Sequence, residues 1–152
     1  MQNTFDTLEI GCVIAGSKFS PTRESIRQFC DASLDHNPLH LDDDYTKNKF
    51  GKTSFGGIIM HGMTHFGLIT KMLTDWLLPL GGIHRRLETR WLIPVKPGDT
   101  IEPSARLSFK RQTKNTDWAG FEIEMRNQRG EIVARADSLA EFPRQATEPR
   151  TE

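Results

Sequence analysis

MTHFGLITKMLTDWLL, residues 63–78, decides the fold. Met63, Phe66, Leu68, Ile69, Met72, Leu73, Trp76 and Leu77 recur at helical spacing and cover most of a helix circumference rather than one stripe. The pattern predicts one long helix buried on nearly all sides. Pro79 and Gly81-Gly82 stop it, and the glycine-rich stretch TSFGGIIMHGM (53–63) leads into it.

Downstream the period changes to two. RRLETRWLIPV (85–95) is the first candidate strand, followed by a Pro97-Gly98-Asp99 turn. IEPSARLSFKR (101–111), AGFEIEMRN (119–127) and GEIVARADSLAEF (130–142) come next. Phe121, Ile123 and Met125 alternate with Glu122, Glu124 and Arg126, as in a sheet with one face on the core. Ile132, Ala134, Ala136, Ser138 and Ala140 form a face of small residues against which something bulky can pack closely. The expectation is an α+β fold: a long central helix followed by a meander of antiparallel strands that wraps around it, which buries both.

Upstream, CVIAGSKF (12–19) reads as a first strand. SPTRESIRQFCDASL (20–34) then offers Thr22 as a helix N-cap, with Ile26, Phe29, Cys30 and Leu34 on one face. That helix is expected to stop near Asn37, because the residue before Pro38 is pushed out of the helical region. A short helix over 43–50 follows, capped by Asp42.

A chain of 152 residues with 36% apolar and 26% charged residues is expected to form one domain, 1–143, with RQATEPRTE (144–152) as a flexible tail. Twenty basic residues balance twenty acidic ones without a basic run, which points away from nucleic acid or a charged membrane surface as partner. Cys12 and Cys30 lack metal-ligand spacing and read as small apolar residues in a reducing compartment. The N-terminus lacks the pattern of a signal peptide. The most apolar region, 55–80, is broken by His61, His65, Lys71 and Asp75, so no membrane span is expected and the cytoplasm is the default location.

The chemistry concentrates in DHNPLHLDDD (35–44). Asp35 and His40 are five apart, too far to face each other on one helix, but a loop bent at Pro38 can turn both to one side, with Asn37 capping the turn. A carboxylate beside an imidazole can position and deprotonate a water near neutral pH. At least two of Asp42, Asp43 and Asp44 are better read as helix-start residues than as metal ligands, and no calcium-loop pattern is present. His61 and His65 are four apart but lack the glutamate of a zinc helix; His61 reads as a residue of the pocket or of the layer directly behind it, and His65 as structural. Small residues in IMHGMTHFG (59–67) leave backbone N–H groups at the positive end of the long helix, where an oxyanion can settle. An acid–base pair with an oxyanion site is what adding water to an α,β-unsaturated thioester requires.

DHNPLHLD (35–42), FGGIIMHGM (55–63) and RWLIPVKPGD (90–99), in that order, resemble the MaoC-like hydratase family, the hot-dog-fold (R)-specific enoyl-CoA hydratases and related dehydratases. The resemblance spans about residues 8 to 143. It implies that Asp35 and His40 are catalytic and that the Gly62 amide holds the thioester carbonyl, with His61 and Asn37 as further substrate-site residues. It also implies that residues 41–56 overhang the acyl pocket. The substrate would be an acyl-CoA or acyl-carrier-protein thioester, with no metal and no cofactor beyond CoA as part of the substrate, and the assembly a homodimer or dimer of dimers. Four positions depart from the family pattern: Gly67 stands where well-studied members carry serine, His36 and His65 are not part of the pattern, and the motif reads S-L-D rather than the frequent S-G-D. The rival readings are a hot-dog acyl-CoA thioesterase and a non-catalytic acyl-thioester-binding subunit.

Overall fold

Thr22 opens the first helix as its side chain predicts. Its hydroxyl accepts the Ser25 N–H at 3.0 Å, while Ser25 Oγ accepts the Thr22 N–H at 2.9 Å. This reciprocal cap satisfies two donors that a helix start leaves orphaned. The computed structural model describes residues 5–48 and 54–143. In it α1 runs over Arg23–Ser33 and stops short of the expected Asn37.

The early stop is the work of Leu34, which takes a left-handed conformation at φ 61°. It is the one non-glycine with positive φ among the described residues, and it is 80% exposed. Leu34 therefore does not extend the buried stripe of Ile26 and Cys30. A side chain at left-handed φ costs about 1 kcal/mol, which glycine avoids. Leu34→Gly is expected to raise the unfolding free energy by about 1 kcal/mol, read as a higher urea midpoint at unchanged slope. An unmoved or lower midpoint would show that the turn carries no such strain.

Pro38 starts structure rather than bending a loop. α2 is a single turn, Pro38–Leu41, in which proline's missing N–H costs nothing at the first position. Asn37 Oδ1 caps it by accepting the Leu39 N–H at 3.1 Å. α3 follows over Asp43–Asn48, with Asp42 Oδ1 accepting the Asp44 and Tyr45 N–H groups at 2.8 and 2.9 Å, the capping expected of it. The rest of the expected 43–50 helix, part of the overhanging segment and the 144–152 tail lie outside the described residues.

The long helix, α4, spans Gly62–Leu77. Its buried stripe is His65, Ile69, Met72, Leu73 and Leu77, but Met63, Gly67, Lys71, Thr74 and Asp75 face outward. It is thus enclosed along one side, not on nearly all of them. No helix among the described residues is long and apolar enough to cross a membrane.

Five antiparallel strands form one sheet: β1 (Val13–Ala15), β2 (Ile83–Trp91), β3 (Ile101–Gln112), β4 (Thr116–Asn127) and β5 (Ile132–Pro143). β1 is shorter than the expected 12–19, with Phe19 adding only an isolated bridge to Ile101. The spatial order β1-β3-β4-β5-β2 corrects the simple meander. β2 does not pair with β3, its successor; it lies against β5, with Trp91 opposite Ala134, and residues 92–100 carry the chain across to β3.

Alternation places Ala105 and Leu107 of β3, Phe121, Ile123 and Met125 of β4, and Ala134, Ala136 and Ala140 of β5 in the core. They share it with Ile69, Met72, Leu73 and Leu77 of α4. Trp76 meets the edge of Phe121 at 5.6 Å between ring centroids. Leu73, Leu107 and Met125 are fully buried, each contributing about 1.5–3 kcal/mol by leaving water. The architecture is the hot-dog fold that the sequence implied, α4 packed on the apolar face of the sheet.

Candidate active site

The lead-in to α4 is laced in place by its backbone. Gly56 and Gly57 turn it with positive φ values of 69° and 146°, conformations that L side chains rarely adopt. The Ile58 N–H then donates to Asp43 Oδ1 at 2.9 Å, the Ile59 N–H to Leu39 O at 3.0 Å, and the Met60 N–H to Val95 O at 2.7 Å. Asp43 also pairs with Arg23 at 2.7 Å. The Ile58 amide and the Arg23 guanidinium together hold the Asp43 carboxyl below its ordinary pKa. These bonds press the start of α4 against residues 35–41.

There the expected pair converges. His40, 7% exposed, donates from Nδ1 to the Ile59 carbonyl at 2.7 Å. A carbonyl only accepts, so Nδ1 carries the hydrogen and the neutral ring turns an Nε2 lone pair outward. Asp35 Oδ2 lies 4.0 Å from that nitrogen, too far for a direct hydrogen bond. A water about 2.8 Å from both acceptors would see them at roughly a right angle, near its own H–O–H angle. Both groups can thus accept from one water.

His61 packs against this pair and lines the same cavity. Its ring stacks on His40 at 3.6 Å with a 24° tilt. Its Nε2 donates to the Asp35 carbonyl at 3.2 Å and lies 3.5 Å from the Cys30 thiol. Burial pushes its pKa down, and the neighbouring His40 adds to that, against the pull of the Asp35 carbonyl. Burial likewise pushes the Cys30 thiol up, with Asp31 and Asp35 adding to it.

Asp35, His40 and Gly62 line one cavity of about 480 Å³, whose apolar wall includes Phe55, Met63, Trp91 and Leu92. Gly62 opens α4, where a residue's N–H has no partner in the helix's own ladder. A Cβ on Gly62 would lie 2.6 Å from Trp91 Cε2, and the Trp91 indole N–H donates to the Gly62 carbonyl at 3.0 Å.

Asn37 is not brought to this wall; its side-chain oxygen is taken up by the Leu39 amide, which makes it a turn-setting residue. His36 faces Asp31 at 3.7 Å on the surface. Gly67 lies outside the cavity lining, and a Cβ there would meet nothing within 4 Å. The sequence reading assigned no role to Trp91 or to the Cys30–His61 contact. The motif RWLIPV carried the only signal for Trp91, and a lone cysteine carried none for Cys30.

Asp35, His40 and His61 also bring possible metal-ligand atoms within 4.8 Å of one another. The two rings lie face to face, however, so their in-plane lone pairs run side by side instead of converging, and His40 Nδ1 is already engaged. The donor set suits proton transfer better than a shared ion.

His65, 3% exposed on the buried stripe of α4, has its pKa pushed down to about 4 by burial, against the pull of the Gly62 and His61 carbonyls. In the unfolded chain the imidazole protonates near its ordinary value of 6.5. Neutral His65 therefore supports the fold fully above that pH, and the support is lost as the pH falls towards about 4. His65→Leu is expected to lessen the drop in stability between pH 7 and 4.5, measured by urea unfolding. An unchanged drop would place the sensitivity elsewhere.

A MaoC-like domain model matches residues 11–123, and the chain belongs to that family. It is 32% identical over 80 residues to an (R)-specific enoyl-CoA hydratase of Rhodospirillum rubrum, covering 53% of each chain. It is 29% identical over 98 residues to a 3-hydroxybutyryl-CoA dehydratase of Methylorubrum extorquens, covering 64% of this chain and 59% of that one. The chain thus spans little more than half the length of either relative. A crystal structure of a monoamine oxidase regulatory protein from Archaeoglobus is 29% identical and superposes with a TM-score of 0.81, covering 96% of this chain and 99% of that chain.

Proposed function

We propose that this protein hydrates α,β-unsaturated acyl thioesters, or dehydrates the 3-hydroxyacyl thioesters they form. The observation that carries the reading is the 4.0 Å gap between Asp35 Oδ2 and His40 Nε2 on the cavity wall, beside the opening residue of α4. The two relatives named as a hydratase and a dehydratase support it.

In the hydration direction the pair takes a proton from the bound water as its oxygen bonds to the β-carbon. The electron pair of the double bond moves into the thioester, and the resulting enolate oxygen is held by the Gly62 N–H at the positive end of α4. The proton passes from the pair to the α-carbon. One O–H bond breaks, one C–O and one C–H bond form, and the protein ends as it began. The thioester itself acidifies the α-carbon, so no metal and no cofactor beyond the thioester carrier, CoA or acyl carrier protein, enters this scheme.

The mainly apolar cavity wall suits an acyl chain. We place the protein in the cytoplasm, in keeping with the free thiols of Cys12 and Cys30. We also propose a homodimer, alone or paired into a dimer of dimers. β2 is a sheet edge that leaves Ile83 and Trp91 about half exposed, a row that a second copy can cover.

The deciding assay follows enoyl absorbance and free thiol together. Loss of absorbance without thiol release is the expected result. Thiol release would make the protein a thioesterase, and binding without turnover across chain lengths would make it a carrier or an inert subunit.

A further inference from the structure

We propose that Trp91 is a positioning residue that aims the Gly62 amide at the substrate carbonyl. This role deepens the thioester reaction proposed above and presupposes it. Trp91 ends β2, and its pairing with Ala134 on β5 ties its backbone to the sheet ladder. Its ring leans from there over the first turn of α4. The indole N–H donates to the Gly62 carbonyl at 3.0 Å. The Cε2, Nε1 and Cζ2 atoms of the ring stand 2.6, 2.9 and 3.0 Å from where a Cβ of residue 62 would be. The ring thus fills the space that any side chain at this position would need.

The chemistry explains why such a contact matters here. An oxyanion donor helps only if it already points at the developing charge, since an amide that must first reorient loses part of its stabilising effect. Glycine is the residue least able to hold a fixed backbone direction by itself. On the near side the Gly62 amide is steadied because the His61 carbonyl accepts the Thr64 N–H at 3.1 Å. On the far side the Gly62 carbonyl is steadied by the indole. The two bonds bracket the Gly62 Cα, one on the peptide that presents the N–H and the other on the next.

Of the three apolar aromatic side chains only tryptophan carries an N–H, so phenylalanine could pack against Gly62 but not anchor it.

Trp91→Phe keeps the ring and removes the donor. With an enoyl thioester, kcat is expected to fall about fivefold while KM stays within about twofold. The NMR order parameter of the Gly62 amide is expected to fall below the wild-type value, with the second half of α4 unaffected. A purely structural role would instead lower the unfolding midpoint and leave kcat of the folded fraction unchanged, and that pattern overturns the assignment. So does a rise in KM alone, which would make the ring only a binding wall. If the wild type turns over no enoyl thioester, the hydratase reading fails by itself. The Gly62 amide order parameter then decides the anchoring, and equal values in the two proteins overturn it.

Discussion

Asp35→Asn is expected to lower kcat for enoyl thioester hydration about a thousandfold while the protein stays folded. The Asp35 side chain is half exposed, so its isosteric amide costs the fold little, and the effect falls on chemistry. An amide cannot accept a proton, and its NH2 group can turn a donor towards the water that both partners must receive. His40→Ala is expected to cost as much, with added instability, because it also strips the Ile59 carbonyl of its donor. The more demanding test is the double variant. If the two groups hold one water between them, removing either empties the arrangement, and Asp35→Asn with His40→Ala together should be scarcely slower than the worse single variant. Losses that multiply would mean that the two groups act separately, and the shared-water geometry would have to be abandoned.

Gly62→Ala is expected to lower kcat/KM about a hundredfold. The added methyl would sit 2.6 Å from Trp91 Cε2, far inside contact distance. Either the ring swings into solvent or the first turn of α4 shifts, and both displace the amide at the cavity. The steric route can be separated from any intrinsic effect of alanine by removing the obstacle. Gly62→Ala in a Trp91→Ala background is expected to be no slower than Trp91→Ala alone, measured by initial rates on the same thioester. Independent, multiplying losses would show that alanine harms the site without the ring.

The strands and α4 were legible because alternation and helical spacing are local signals that burial reinforces. Phe121, Ile123 and Met125 point inward as their spacing requires. The partner of β2 was not legible, since strand order depends on which edge the chain crosses to, and nothing within residues 83–91 encodes β5. The extent of burial around α4 was overread for a related reason. An apolar residue such as Met63 or Leu68 shows that water is disfavoured but not what covers it, and Met63 is 51% exposed in the single chain. Pro38 and Leu34 misled in opposite directions. Proline signals a helix end or a helix start depending on the cap before it, and Asn37 supplied that cap. Leucine carries no sign of left-handed backbone, so the true stop of α1 was invisible.

At the site, the meeting of Asp35, His40 and Gly62 on one cavity was readable because their spacing forms ordered motifs. His61, read as a residue of the pocket or of the layer directly behind it, lies on the cavity lining at 1% exposure, stacked on His40 and bonded to the Asp35 carbonyl. Contacts such as Trp91 to Gly62 join residues 29 positions apart, and no pattern within either segment announces them.

The face-to-face imidazoles at 3.6 Å also set a capacity. Two positive rings in that contact would repel strongly with little solvent between them, so the recess can store a single extra hydrogen ion at a time. Whatever arrives from one bound solvent molecule must depart before the next is split. In the proposed reaction its nearest exit is the adjacent carbon of the same acyl chain, on the side from which the oxygen came. On that proposal the paired rings would act as a one-place relay, which would favour delivery of both halves of the solvent molecule to a single face of the double bond.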